Sequence, residues 1–316
     1  MDPYRNVVVG VDLASADRLA DGAPLGPASR AARDRAIEVA RASKGHVHLL
    51  AALDVDPYAE TIVLDSARAG GTSILDRAKR FLDAAAKPVR DAGIETTTEV
   101  ALGHAAESLL ADAQKNRRDL VVVGTRERST LARNLLGSTA LALLRRCPAP
   151  VWVARRGVHH HGEKTVLAAI GIGDLAAHVL RAASSIAASA GAALHVLHVV
   201  DLPAAAVLRA GAADREAVEW YRRQRRENAE AEVPRLVALA LGEGAKCAMH
   251  LVDGETADAI LDHARRLEPE VVVMGSVVQS GLRALLLGST AEKVLPALET
   301  SLLLVKPTAT SLPTHR

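Results

Sequence analysis

Short apolar runs punctuate the chain at regular intervals, and amphipathic stretches fill the spaces between them. In the first half the runs lie near 6–12, 46–54, 94–101, 119–124 and 150–155, and in the second near 165–171, 193–201, 246–252, 270–275 and 301–306. Runs such as VVVG and VVVMG are continuous rather than alternating, the signature of strands covered on both faces in a parallel sheet. The intervening segments repeat apolar residues at helical spacing. Ala106, Leu109, Leu110 and Ala113 form one such face, and Ala257, Ile260, Leu261 and Ala264 another. Strand and helix therefore alternate through two sets of five strands. The pattern predicts an α/β chain made of two doubly wound, five-stranded parallel-sheet domains.

The two sets are copies of one another. The hexapeptide LLGSTA occurs at 135–140 and again at 286–291, an offset of 151. At that offset Gly124 falls on Gly275, Gly103 on Gly254, and Pro150-Val-Trp-Val on Ser301-Leu-Leu-Leu. Upstream the offset drifts, with Asp54 matching Asp201 at 147 and Asp12 matching Gly171 at 159. The first copy thus holds extra residues after its first strand, in DLASADRLADGAPLGP, which reads as an extended loop. The second holds its excess around DREAVEWYRRQRRENAEAE, which reads as a long surface helix. These matches divide the chain into a domain at 1–156, a linker at 157–164, a second domain at 165–307 and a tail at 308–316.

Composition refines this picture. Hydrophobic residues make up 49% of the 316 residues and aromatics only 2%, so each core must be built from Ala, Val, Leu and Ile. The 39 Lys and Arg against 37 Asp and Glu leave no electrostatic footprint for nucleic acid or an anionic membrane. Cys147 and Cys247 belong to no CxxC or Cys/His ligand cluster, which excludes a disulfide framework. MDPYRNVVVGVD lacks the features of a secretory leader, and no apolar run reaches about 18 residues. A cytoplasmic location is expected.

In doubly wound sheets ligands bind beyond the carboxyl ends of the strands, at the switch point of the strand order. That rule places Asp12, Leu53, Gly124 and Gly137 around one crevice, and Gly171, Val200, Gly275 and Gly288 around the other. In each copy a strand ends in Gly, a loop follows, and GST opens a helix. Ser138 or Thr139, and Ser289 or Thr290, are suited to cap that helix. Gly137 and Gly288 would let a ligand approach the backbone, and the helix N-terminus favours an anion. A capped helix after a tight turn would use the same residues.

VVVGT, the loop ending in LARNLLGSTA, and RCPAPVWVARR together resemble a universal stress protein domain. VVVMGSVVQSGLRALLLGSTAEKVL followed by LLLVKP resembles it more closely. The likeness covers both halves apart from linker and tail, and is similar to the tandem, E-type members of that family. It implies two adenine nucleotide alpha hydrolase-like domains packed as an intrachain pseudo-dimer, with PVWVA and SLLLV near the pairing surface. A monomer of that kind, or a homodimer, is implied.

Nucleotide-binding members of the family carry Gly-x2-Gly-x9-Gly-Ser/Thr. Here GTRERSTLARNLLGS has Glu127 at the middle position and GSVVQSGLRALLLGS has Val278. The second loop also keeps a glycine at Gly281, whereas only the first copy keeps the strand-end acid, Asp12. The resemblance implies a nucleotide crevice of Asp12, Leu53, Gly124, Thr125, Gly137, Ser138 and Thr139 in copy one. In copy two it implies Gly275, Ser276, Gly288, Ser289 and Thr290. Backbone amides and hydroxyls would hold phosphates, with Asp12 and Leu53 on the adenosine side. Two functions follow from the departures. One is a stress-response regulatory or binding protein with weakened or lost ATP binding, which takes another small molecule or a protein partner. The alternative is an ATP or ADP sensor that retains nucleotide in one or both domains.

Other motifs read as structure. GVHHHGEKT leads into a strand instead of following one, so it is no phosphate loop, and His159 to His161 read as a surface run. His46 and His48 share a strand face as partly exposed histidines, whereas His195 and His198 point to opposite faces. No metal site is expected. Arg222, Arg223, Arg225 and Arg226 interleave with Glu227, Glu230 and Glu232 as a solvated helix face, beside Trp220 and Tyr221, which would pack on the domain or meet a partner. No G-x-S-x-G, H-E-x-x-H or recognisable Ser/His/Asp set is present, and VDLAS and GIGDL do not supply a Ser-Gly-Gly loop. An enzyme is not expected.

Overall fold

A computed structural model describes residues 4–13, 24–54, 73–125, 136–155, 163–201, 215–276 and 287–307. The chain divides into two compact units, one on each half. The first runs β1 (Asn6–Val11), α1 (Pro27–Ser43), β2 (His46–Leu53), α2 (Ile74–Asp91), β3 (Glu95–Leu102), α3 (Ala105–Lys115), β4 (Leu120–Gly124), α4 (Ser138–Arg146) and β5 (Val151–Ala154). The second runs β6 (Thr165–Ala169), α5 (Ala176–Ala190), β7 (Ala193–Val200), α6 (Arg215–Leu241), β8 (Ala248–Asp253), α7 (Thr256–Leu267), β9 (Val271–Gly275), α8 (Ser289–Ala297) and β10 (Ser301–Val305). Each apolar run of the sequence is a strand, with bounds shifted by no more than two residues.

Within the first unit the strand order is β3-β2-β1-β4-β5, and within the second β10-β9-β6-β7-β8. The strand ladders described within both units are parallel, with Val9 opposite Val122 at the first switch point and Ala168 opposite Val273 at the second. The central strands are covered on both faces: Val7, Val8, Val9, Leu120, Val121 and Val122 have no exposed surface. Helices reach them through small side chains. Ala32, Ala36 and Ala40 recur at i, i+4 and i+8 on the buried face of α1, so the helix seats close to the sheet without aromatic filling. Edge strand β3, ETTTEVAL, alternates exposed and half-buried positions, as a strand with one free side does.

The long charged helix takes the form read from the sequence. In α6, Ala229, Val233 and Val237 face inward, while Arg222 pairs with Glu219 and Arg226 with Glu230 and Asp253. Trp220 is 60% exposed and so does not pack on the domain.

The start of α2 shows how local sequence fixes an element. Ser73 Oγ accepts from the Asp76 N–H at 3.1 Å, and the Asp76 carboxylate accepts from the Ser73 N–H at 3.2 Å. This reciprocal cap satisfies two otherwise free donors. Replacing Ser73 with Ala should lower stability by about 1 kcal/mol, measurable as a fall in the urea midpoint with an unchanged slope.

Candidate functional site

At the switch point of the first unit β1 and β4 lie side by side and their onward connections diverge. Asp12 follows β1, and its backbone N–H donates to Ser29 Oγ at 2.9 Å. Ser29 is buried in the first turn of α1, so this bond stitches the start of the helix to the end of the strand. The same turn presses on the end of β4. A Cβ built on Gly124 would lie 2.1 Å from the Ala28 carbonyl oxygen and 2.4 Å from its carbon. Gly124 is therefore required by the seating of α1. Next to it, the Thr125 N–H donates to Ala154 O at 3.2 Å, which continues the ladder for one residue. Leu53 closes β2 and is buried, and its carbonyl accepts from the Gly103 N–H at 2.8 Å.

Gly137 stands differently. It is the N-cap of α4 with φ −64° and ψ 151°, an extended conformation open to any residue, and an added Cβ would meet nothing within 4 Å. Neither packing nor torsion within the described residues demands glycine there. The expected capping by Ser138 or Thr139 is not found: glycine itself occupies the cap position, and no side chain caps the helix. Ser138 and Thr139 fall one and two residues too late, inside the first turn, where a hydroxyl cannot reach back to the free N–H groups. Ser138 is exposed and Thr139 half-buried.

The second unit repeats this arrangement at its own switch point. Gly288 caps α8 with φ −62° and ψ 151°, again with no side-chain bond, followed by exposed Ser289 and half-buried Thr290. Gly275 is less confined than its counterpart, since a Cβ there would meet Leu175 Cδ1 at 3.3 Å and Val179 Cγ2 at 3.5 Å. The Ser276 N–H donates to Val305 O at 2.9 Å, while its buried Oγ has no hydrogen-bond partner among the described residues. Where the first unit has Asp12, this one has Gly171, with open space around an added Cβ. His198, whose counterpart is Ala51, is buried beside it, and its Nδ1–H donates to Ile170 O at 2.9 Å. Burial holds this imidazole below the usual histidine range, although the Ile170 bond acts in the other direction.

Sequence reasoning thus located the two switch points but missed Ser29 and His198, which reach them from a helix turn and a neighbouring strand. Glu127, Val278 and Gly281 lie outside the described residues, as do His159 to His161, most of the linker, the tail and the centre of the loop after β1. A cleft of about 630 Å³ opens elsewhere in the first unit, at the amino ends of β1, β2 and β3, between Arg5, Arg41, Lys44 and Glu95. Among the described residues no helix is long and apolar enough to cross a membrane.

The sequence pattern of the universal stress protein family matches residues 3–155 and again 163–306. The universal stress protein E homolog of Haemophilus influenzae is 27% identical over 210 residues, a match that spans 64% of this chain and 66% of that relative. Among solved structures, a universal stress protein of Pseudomonas aeruginosa aligns over 97% of this chain and 94% of its own, at 22% identity and a TM-score of 0.65. One from Archaeoglobus fulgidus covers 95% and 98%, at 17% identity and a TM-score of 0.62. Both structures are alike in fold.

The equivalent glycines should respond unequally to a methyl group. Gly124→Ala forces α1 off the sheet and should cost about 1–3 kcal/mol, whereas Gly275→Ala should cost less than about 1 kcal/mol. Urea unfolding of the two variants beside the parent measures the difference, and equal losses would contradict the packing argument.

Proposed function

The chain belongs to the universal stress protein family and carries two of its domains, and from this premise we propose a stress-response binding protein whose crevices hold ATP weakly or not at all. One observation carries the reading: the middle glycine of the phosphate loop is replaced in both copies, by Glu127 and by Val278. A glycine there leaves backbone amides free to wrap a phosphate, and a Cβ narrows both the torsions and the approach. A carboxylate adds repulsion toward a triphosphate. The remaining features are divided between the copies. Asp12 belongs to the first crevice alone, and the Ser276 hydroxyl, without a partner among the described residues, to the second. Neither domain, 1–156 or 165–307, unites the full set.

The protein acts by binding, without a catalytic step, and in the cytoplasm. Its ligand is a nucleotide in trace affinity or another small molecule; neither nucleic acid nor a membrane is a partner, in keeping with a net charge of +2. A second reading, an ATP or ADP sensor, draws support from α4 and α8. Both helices start at a glycine with no side-chain cap, which leaves their first N–H groups for an anion.

Calorimetric titration with Mg-ATP and with ADP separates the two readings. The parent should show no micromolar binding, and Glu127→Gly or Val278→Gly should bind at least about tenfold more tightly, a gain of about 1.4 kcal/mol. Micromolar affinity in the parent would overturn the proposal in favour of the sensor.

A further inference from the structure

Away from the crevices, three positions of the repeat carry titratable side chains in both units. The offset of 147 places His195 of β7 on His48 of β2, and the offset of 151 places His250 of β8 on Glu99 of β3 and His263 of α7 on Asp112 of α3. Strand register agrees. His48 lies opposite Thr97 and Leu50 opposite Glu99, while His195 lies opposite Ala248 and Leu197 opposite His250. Each trio therefore occupies the same place between two strands and the helix that covers them.

The trios satisfy themselves differently. In the second unit His195 Nδ1 and His250 Nε2 are 2.9 Å apart and share a proton, with their rings stacked at 5.2 Å. His263 turns its Nδ1–H to Ala259 O at 2.9 Å and stands edge-on to His250. In the first unit His48 Nδ1 lies 2.8 Å from Thr97 Oγ1, and His46 Nε2 lies 3.0 Å from the same oxygen. Two proton chains account for both distances: His48 Nδ1–H to Thr97 and the Thr97 hydroxyl to His46, or His46 Nε2–H to Thr97 and the hydroxyl to His48 Nδ1. The first leaves a lone pair on His48 Nε2, the second a proton.

That nitrogen is buried and has no hydrogen-bond partner among the described residues. The side chain is only 7% exposed, and Nε2 faces Glu99 Oε2 at 3.6 Å and Asp112 Oδ1 at 3.8 Å. Burial, helped by Arg118, holds the imidazole below the usual histidine range, which favours the neutral ring. With its lone pair inward, Nε2 beside two carboxylates makes a three-ligand set that a cation would satisfy, and in the other chain a metal ion would take the place of the Nε2 proton. The carboxylate of Asp112 is already aimed: Arg118 binds it in a fork at 2.8 and 2.9 Å, and Asn116 donates to Oδ1 at 2.7 Å. Outer contacts of this kind orient the ligands of metal sites.

We propose that His48 Nε2, Glu99 and Asp112 form a binding site for a first-row divalent cation of the Zn²⁺ class. The three ligand atoms lie within 4.8 Å of one another, and two ligands on one such ion stand roughly 3.0–3.4 Å apart, given metal–ligand bonds of about 2.1 Å. The His48 distances of 3.6 and 3.8 Å need to close by a few tenths of an ångström, and the wider separation within the trio, up to 4.8 Å, by roughly 1.4 Å or more, a movement that falls to Glu99, whose side chain is 57% exposed. One imidazole and two carboxylates suit Zn²⁺ or Mn²⁺, with water completing the shell on the Glu99 side. Arg118 offsets one carboxylate charge, which lowers the affinity and leaves it dependent on Glu99.

The test uses the full chain with His159, His160 and His161 changed to Ser, which removes a surface run that would itself collect metal. Co²⁺ is titrated by its visible absorption and Zn²⁺ by calorimetry. One equivalent should bind in the first unit, and Glu99→Gln, an exposed change that keeps the fold, should weaken it at least about tenfold. His48→Gln should do the same, His250→Ala should leave this equivalent in place, and Zn²⁺ should raise the melting temperature of the parent more than that of Glu99→Gln. Absence of binding at millimolar metal, or binding that survives Glu99→Gln and is lost in His250→Ala, would overturn the assignment.

Discussion

The seating of α1 on the sheet is the contact from which the first crevice takes its form. It works because two positions carry almost nothing: Gly124 has no side chain where the Ala28 carbonyl passes, and Ala32 and Ala36 bring the helix axis close to β4. Ser29 then lies near enough to accept from the Asp12 N–H. A bulkier strand end would move the helix, and with it the only acid that either crevice receives from its first strand. The second unit solves the same problem more loosely, since a Cβ added to Gly275 would meet only side chains, Leu175 at a tight 3.3 Å and Val179 at 3.5 Å. Its first-strand residue is Gly171, so nothing there depends on a fixed helix start.

This difference bears on what glycine means in the phosphate loop. Gly124 and Gly137 belong to the same family pattern, yet the first is held by packing within the protein and the second has no neighbour within 4 Å of an added Cβ among the described residues. A pattern match cannot separate the two, because both reasons call for the same residue. Only the neighbours do. Gly137 and Gly288 cap their helices in extended conformations and need no special torsion, so backbone conformation does not account for either glycine.

Legibility followed burial. Central strands read clearly because coverage on both faces demands unbroken apolar runs, and VVVG and VVVMG have no other use. Bounds did not follow burial as existence did: edge strand β3, ETTTEVAL, was displaced by one residue, and the central β6 ended two residues earlier than read. The caps were misjudged because Gly, Ser and Thr all favour that neighbourhood, and sequence cannot say which of three adjacent residues turns the chain. His48, Glu99 and Asp112 were invisible as a group for a stronger reason. Their separations along the chain are set by the lengths of α2 and its loop and by the return of α3, so no local spacing joins them. The available signal was the internal alignment, in which three ligand-type residues fall on three others.

Duplication gives those positions their freedom. A strand pair covered by a helix needs apolar contacts at its centre, but near the amino ends of β2 and β3 the layer opens toward solvent and polar side chains are tolerated if they satisfy one another. The second unit met that condition with histidines bonded to each other and to a carbonyl. The first met it with an Arg118–Asp112 fork that leaves one nitrogen unmatched. His48 is five residues before Leu53 on the same strand, roughly 16 Å of extended chain. An ion at one end of β2 and a ligand at the other would not touch. Binding at the two ends could be linked only through the strand and helix they share, which is a matter of domain rigidity and not of contact between sites.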